Sequence, residues 1–297
     1  MRVRLGTNPI AWSNDDLRTL GGETPLETCL AEARAAGFAG IELGHKFPRE
    51  PGLLTRMLAA HDLALISGWY SSALLSRDVA AEAEALAPHL ALLDALGAEV
   101  LILAETNGAI HGDPAKALSG RPRLSTEEMV RLAARLEALG RRVAGRGIRL
   151  AYHHHMGTVV QSEAEIDALM ATTGPEVGLL LDTGHAAFAG ADPARLAERH
   201  RDRILHVHCK DVRADVLARV RSDDVSFLDA VVAGVFTVPG EGAIDFAGVL
   251  GPLRRAGYSG WLVVEAEQDP AKADPATYAR MGFQNLEAMA QRAGFRC

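Results

Sequence analysis

Short apolar runs alternate with longer segments of helical periodicity along this 297-residue chain. An apolar run that ends in polar residues is typical of a buried parallel strand, and the periodic segments between the runs are typical of helices. We predict strands at Val3–Asn8, Gly40–Leu43, Ala64–Tyr70, Val100–Glu105, Ile148–His153, Val177–Asp182, Ile204–His208 and Gly260–Glu265. Eight such units favour a (β/α)8 TIM barrel of the α/β class, although alternating units can also form an open doubly wound sheet.

Several helix starts are visible without any assumption about the fold. The segments that begin at Thr24, Ser125 and Ser162 each have the spacing of a capping box, and Pro25 suits a first helical position. Behind Ser125, apolar residues recur at helical spacing, which predicts a helix that covers a sheet with one face: Met129, Leu132, Leu136, Leu139 and Val143.

The length and the 48% hydrophobic content suit one barrel-sized domain over residues 1–297. Two connections, 106–124 and 212–242, are too long to be plain loops, and we expect both to help roof a site. The apolar stretch Phe227–Val235 in the second connection predicts a short helix.

Charge and cysteine content exclude several classes of protein. The net charge of −7 comes from 38 acidic and 31 basic residues without long runs of either sign, which argues against a nucleic-acid partner. No apolar run is long enough to cross a membrane, and the first residues alternate like a strand rather than a signal peptide. Three scattered cysteines give no disulfide framework, so we expect a cytoplasmic protein. A homo-oligomer is compatible with these features.

The fingerprints of several common active sites are absent. The chain has no GxGxxG after a strand, no GxxxxGK[ST], no GxSxG and no HExxH. Dinucleotide-binding, P-loop, serine-hydrolase and zincin functions therefore have no support.

The most informative feature is a histidine or a carboxylate at the end of each of the last four predicted strands: His153, Asp182, His208 and Glu265. The carboxyl ends of barrel strands converge on one mouth, so these side chains can meet. Two imidazoles and two carboxylates suit a divalent cation such as manganese, cobalt, iron or zinc. Each residue alone could instead cap a turn or satisfy a buried backbone group, and His155, His206 and Glu267 are competitors two residues away on the same face.

Further candidates follow other strands. Catalytic candidates are Glu42, Lys46, His155, His185 and Lys210, which could transfer protons or stabilise an oxyanion. Substrate-binding candidates are Asn8, Trp12, Trp69 and Glu105. The two indoles suit the C–H faces of a sugar-like ring, but they could equally cover the end of the hydrophobic core. His185 could also orient a metal ligand, and Lys210 could simply pair with Asp211.

The sequence resembles the xylose-isomerase-like barrel superfamily and, within it, the inosose dehydratases. The stretches that carry the resemblance span nearly the whole chain: GTNPIAWSNDD, GIELGHKFPR, AYHHHMGT, LLLDTGHA, HVHCKD and SFLDAVVAGVFTVPGEGAIDF. The resemblance implies a metal-dependent dehydratase that removes water from 2-keto-myo-inositol to give a trihydroxycyclohexane-1,2-dione. It also implies manganese or cobalt as the cofactor, with glutathione as an associated requirement.

The resemblance implies that Asp182, His208 and Glu265 bind the metal. Where isomerases and epimerases of the superfamily have a glutamate on the fifth strand, this chain has His153-His154-His155, so the fourth ligand is His153 or His155. Loss of that glutamate favours elimination over epimerisation. The rival functions are a ketose isomerase or epimerase, a nuclease of the endonuclease IV type, and a sugar-binding protein without catalysis.

Overall fold

The computed structural model describes residues 1–297 and contains ten strands, eight of which close into a barrel. The barrel strands are β1 (Arg4–Thr7), β2 (Gly40–Leu43), β3 (Ala64–Ser72), β4 (Val100–Glu105), β5 (Arg149–His153), β6 (Val177–Asp182), β7 (Ile204–Cys209) and β10 (Trp261–Val264). Each matches one predicted strand to within two residues at either end. The closed eight-stranded barrel confirms the TIM-barrel prediction and excludes the open sheet.

All barrel strands are parallel, and the barrel closes where β1 pairs with β10. The register at this seam places Thr7 beside Val264. Consequently the carboxyl ends of the first and the last barrel strands are neighbours, and all eight carboxyl ends face the same mouth.

Eleven helices accompany the strands: α1 (Leu26–Ala36), α2 (Pro51–Ala60), α3 (Val79–Ala95), α4 (Thr126–Ala144), α5 (Glu163–Thr172), α6 (Thr183–Ala189), α7 (Pro193–His200), α8 (Ala214–Ser222), α9 (Phe227–Val232), α10 (Phe246–Ala256) and α11 (Pro275–Arg292). The predicted capping boxes at Ser125 and Ser162 are both present, and the predicted apolar face of α4 is buried. The capping box predicted at Thr24 was wrong: α1 begins at Leu26, and Pro25 is its N-cap and has no side-chain donor or acceptor to offer.

The long connection 212–242 is mostly regular structure. It contains α8, α9 and one strand of a small antiparallel ribbon, which pairs β8 (Asp211–Val212) with β9 (Phe236–Thr237). The predicted short helix is therefore confirmed as α9. The connection 106–124 contains a single 3₁₀ turn, Leu118–Gly120, and the amide of Leu118 donates to the carbonyl of Val225 at 3.2 Å. The two long connections thus contact each other.

No helix combines the length and the apolar composition that a bilayer crossing requires.

Candidate metal centre

Four strand ends bring the predicted ligands together at the floor of the barrel mouth. His153, Asp182, His208 and Glu265 are all buried, and one ligand atom from each lies within 4.8 Å of the others. Nε2 of His153 is 3.6 Å from Oδ2 of Asp182, and Nδ1 of His208 is 3.4 Å from the same oxygen. Nδ1 of His208 also contacts Oε2 of Glu265. The residues predicted from the sequence therefore form one cluster.

Four buried atoms of the cluster residues have no hydrogen-bond partner: Nδ1 of His153, Oδ2 of Asp182, Nδ1 of His208 and Oε2 of Glu265. The last three adjoin one another. Buried polar atoms are normally paired, because an unpaired charge in the interior is costly. A divalent cation held by two imidazole nitrogens and two carboxylate oxygens would satisfy all three atoms. The side chains fit such an ion.

Of the two histidines that the sequence left open, His153 lies in the cluster. The His155 ring is directed elsewhere, since its Nδ1 donates to the carbonyl of Met156 at 2.8 Å. A carbonyl can only accept, so Nε2 of a neutral His155 carries the lone pair. Burial holds the pKa of His155 well below its usual value, which favours this neutral form.

Glu42 orients His208 from the side opposite the cluster. Its Oε1 accepts from Ser67 at 2.6 Å, from Nε2 of His206 at 2.8 Å and from Nε2 of His208 at 3.2 Å, and its Oε2 accepts from Asn8 at 2.7 Å. Burial raises the pKa of Glu42, but the charge of His208 and these hydrogen bonds outweigh it and hold the pKa well below its usual value. In the neutral form of His208, Nε2 donates to Glu42 and the lone pair of Nδ1 is free for a metal.

Lys210 is a fully buried cation beside the cluster. Its Nζ lies 3.3 Å from Oε1 of Glu265, 3.5 Å from Oε2 of Glu267 and 3.1 Å from Nε2 of His185. Burial lowers the pKa of Lys210, but the carboxylates of Glu265, Asp182 and Glu267 raise it above its usual value. The ammonium therefore stays charged and offsets part of the negative charge of the carboxylates.

The turn after β6 explains why a glycine follows Asp182-Thr183. Oδ1 of Asp182 accepts from the amide of His185 at 2.7 Å and caps α6, which leaves Oδ2 for the cluster. A Cβ at Gly184 would lie 2.5 Å from Cγ of Lys210. Only glycine lets the lysine stem pass this turn.

A cavity of about 600 Å³, counting the solvent at its mouth, lies above the cluster. Trp69 packs edge-on against the rings of His153 and His155, with centroids 5.2 and 5.4 Å apart. The lining residues are Asn8, Ile10, Asp15, Asp16, Glu42, Leu43, Trp69, Ile102, His153, His155, His208, Glu265 and Glu267.

The connection 212–242 supplies one wall behind this cavity. Phe227 of α9 packs against the rings of His155 and His185, with centroids 5.1 and 5.6 Å apart. Phe236 of β9 contacts His185, and Nζ of Lys210 lies 4.6 Å from the centroid of the Phe236 ring. These aromatic rings keep water from the buried histidines and from the lysine.

Two predicted site residues lie outside the cavity because their polar groups are engaged elsewhere. Nζ of Lys46 donates to the carbonyls of Gly21, Gly22 and Thr24 at 3.0, 2.7 and 2.6 Å. Trp12 is buried, and its Nε1 donates to Glu32 at 2.6 Å. Both side chains line a smaller neighbouring cavity instead.

Glu105 also lies away from the cavity lining. Its carboxylate accepts from the hydroxyl of Ser72 and from the amide of Leu74, both at 2.7 Å. The amide of Asn107 donates to its second oxygen at 3.1 Å. These bonds fasten the loops after β3 and β4 to each other.

The sequence did not single out three cavity carboxylates, Asp15, Asp16 and Glu267. The two aspartates lie well past the end of β1, beyond the 3₁₀ turn Pro9–Ala11, so a search at strand ends misses them. Glu267 was noted only as a competitor of Glu265. It accepts from Asn14 at 3.0 Å, and burial raises its pKa to about 7.

Known proteins share the fold and much of the sequence of this chain. The family model for the xylose isomerase-like TIM barrel matches residues 30–289. The rhizopine catabolism protein MocC of Rhizobium meliloti is 53% identical over 100% of this chain and 91% of its own length. The inosose dehydratase of Geobacillus thermodenitrificans is 46% identical over 96% of both chains. The structure of an IOLI protein with a binding zinc atom has the same fold, with a TM-score of 0.69 at 16% identity over 98% of this chain and 99% of its own.

Proposed function

The chain belongs to the xylose isomerase-like TIM barrel family and, within it, to the inosose dehydratases, and we propose on this premise that it removes water from 2-keto-myo-inositol. The product would be a trihydroxycyclohexane-1,2-dione. The observation that carries the proposal is the buried cluster of His153, Asp182, His208 and Glu265, with its unpaired ligand atoms at the floor of a cavity.

The four side chains of the cluster would hold the divalent cation. When bound, the cation would act as a Lewis acid toward the ketone and a neighbouring oxygen of the substrate. The mixed nitrogen and oxygen donor set supports manganese or cobalt, the metals that the resemblance implies, and the zinc of the IOLI neighbour suits the same donor types. Glutathione stays a prediction of the resemblance.

His155 and Glu267 are the groups of the cavity that we propose to move the two protons of the elimination. Both line the cavity, and neither is one of the four candidate metal ligands. Nε2 of His155 is available as an acceptor because Nδ1 donates to Met156, so we assign His155 the proton next to the ketone. Asn14 and Lys210 hold the carboxyl of Glu267, which we assign to the leaving hydroxyl.

The other predicted catalytic residues take supporting roles in this proposal. Glu42 fixes the tautomer of His208, and His185 accepts from Lys210, which keeps the ammonium beside Glu265. Trp69, Ile10 and Leu43 offer apolar surface to the C–H faces of a ring. Lys46, Trp12 and Glu105 stabilise the loops that shape the mouth.

The deciding experiment is mass spectrometry of 2-keto-myo-inositol after incubation with the purified protein and manganese. Loss of one water supports the proposal, whereas an unchanged mass with a rearranged sugar would identify an isomerase or epimerase. Chelated protein and the Asp182→Asn variant are the controls, and both should leave the substrate unchanged. Full activity of either would refute a metal-dependent reaction.

A second candidate is the same elimination on a ring ketone with a different substituent. The higher identity to the rhizopine catabolism protein, 53% against 46%, favours it. Comparing kcat/KM over ketones that differ at a single ring position decides between the two, because the physiological ketone should give the highest value.

A further inference from the structure

The loop after β1 brings two adjacent aspartates to the cavity. They are not part of the cluster of four candidate metal ligands, and they have no role in the proposed elimination. Asp15 and Asp16 both line the cavity. Asn14, which is fully buried, fixes this loop: its Oδ1 accepts from the amides of Asp16 and Leu17 at 2.8 and 2.6 Å, and its Nδ2 donates to Glu267. The aspartates are therefore presented on a rigid support.

His45, from the loop after β2, holds one oxygen of Asp15. Oδ1 of Asp15 accepts from Nδ1 of His45 at 2.6 Å and from the amide of His45 at 3.3 Å. Both bonds fall on Oδ1, and no protein donor reaches Oδ2. Nε2 of His45 lies 3.4 Å from the hydroxyl of Ser13, so the ring is fixed from both sides.

Asp16 is held less firmly. Its Oδ1 is 3.9 Å from Nε2 of His111, which is beyond hydrogen-bond distance. Asp15 is thus the better prepared of the two to accept a hydrogen bond from a ligand, since its carboxylate is fixed before the ligand arrives.

We propose that Asp15, held by His45, selects polyhydroxylated rings in this cavity. Its Oδ2 accepts a hydrogen bond from a ring hydroxyl other than those at the metal cluster. Asp15 is partly exposed where it lines the cavity, so a ring that enters displaces water from its Oδ2. A ring hydroxyl replaces the lost hydrogen bond to the carboxylate, and an analogue without that hydroxyl does not.

This inference rests on the proposed function. Assays with two different ketones distinguish a failure of the inference from a failure of the proposed function. 2-Keto-myo-inositol carries the full set of hydroxyls, whereas 3-hydroxycyclohexanone keeps only the ketone and the hydroxyl to be eliminated. We expect Asp15→Asn to lower kcat/KM on the polyol by about 10- to 100-fold, because a hydrogen bond to a charged group is lost. The same variant should leave kcat/KM on 3-hydroxycyclohexanone unchanged.

Asp167 provides a matched control on the outer face of the barrel. It makes the same kind of pair, with Oδ1 2.7 Å from Nε2 of His200, between α5 and α7. Asp167→Asn should leave the ratio of the two kcat/KM values at the wild-type level. His45→Gln should lower kcat/KM on the polyol less than Asp15→Asn, since it loosens the carboxylate without removing it.

Binding of myo-inositol, which lacks the ketone and cannot react, is the second readout. Calorimetry on the manganese-loaded protein should show affinity for this probe that falls about 10-fold or more in Asp15→Asn. An equal loss of kcat/KM on both ketones, or an unchanged affinity for myo-inositol, would overturn the inference. A wild-type protein that eliminates water from neither ketone would refute the proposed function, and the myo-inositol affinities would still decide the role of Asp15.

Discussion

Glu42 accepts a hydrogen bond from Nε2 of His208 at 3.2 Å, while Nδ1 of the same ring faces Oδ2 of Asp182 at 3.4 Å. One imidazole therefore links a carboxylate on β2 to the cluster of four candidate metal ligands. Glu42→Gln should weaken manganese binding by about 10- to 100-fold, because the neutral amide no longer fixes the ring or increases its basicity. Calorimetric titration of the metal-free protein measures this change. Unchanged metal affinity together with lost turnover would instead indicate that Glu42 acts on the substrate.

His155→Gln should lower kcat by about 10²- to 10⁴-fold, since glutamine cannot take up the proton next to the ketone. Metal content should stay at the wild-type level because His155 is outside the cluster. Exchange of that proton in heavy water, followed by NMR, reports the first step directly. A variant that exchanges the proton at the wild-type rate would contradict the role given to His155.

Glu165→Gln should destabilise the protein at neutral pH by roughly 3 kcal/mol, because it leaves the buried guanidinium of Arg121 without its anionic partner at 2.6 Å. Burial raises the pKa of Glu165, but the hydrogen bonds from Arg121 and from the Ser162 amide outweigh it and hold the pKa below its usual value. Its contribution is therefore complete above the pKa of the unfolded chain and is lost as the pH falls through the lower pKa of the folded state.

Urea unfolding of both proteins over a pH series measures the contribution of Glu165, and the difference between them should shrink toward zero in acid. Glu163→Gln is the control on the same helix, because Glu163 pairs with the exposed Arg195 and should contribute less than about 1 kcal/mol. A difference between wild type and Glu165→Gln that stays constant down to the lowest pH at which both fold would contradict the assignment.

Gly184→Ala should destabilise the protein by about 1–3 kcal/mol, because the new Cβ overlaps the Lys210 stem. The helical propensity of alanine alone would change stability by about 1 kcal/mol in the opposite direction, so the sign of the effect identifies the overlap. Thermal unfolding measures it. Gly112→Ala is the control, since a Cβ there meets nothing within 4 Å and should change stability by less than about 0.5 kcal/mol.

The sequence predicted the barrel well because its signals were local and repeated. Apolar runs identified all eight barrel strands, and the boxes at Ser125 and Ser162 located two helix starts. At Thr24 the same pattern failed, since Pro25 occupies the N-cap position and the helix starts one residue later. A pattern of residue types shows that a helix could be capped there, but it does not determine which residue occupies the N-cap position.

The site was predictable where its residues stand at strand ends, because the barrel itself brings His153, Asp182, His208 and Glu265 together. Residues on loops were less predictable. Lys46 follows β2 closely, yet its ammonium turns toward carbonyls of another loop, and Asp15 reaches the cavity only through the path of a long loop. Such paths depend on contacts between distant segments, which residue spacing does not encode.

Closure of the barrel between its first and last strands has a consequence for how the protein acquires activity. Three of the cluster residues belong to β5, β6 and β7, but Glu265 follows β10, and Asn14 joins the loop after β1 to Glu267. A nascent chain that has not yet docked β10 therefore presents only part of the cluster. A full set of four side chains therefore exists only when the last strand has closed the ring, so metal affinity would report completion of the barrel.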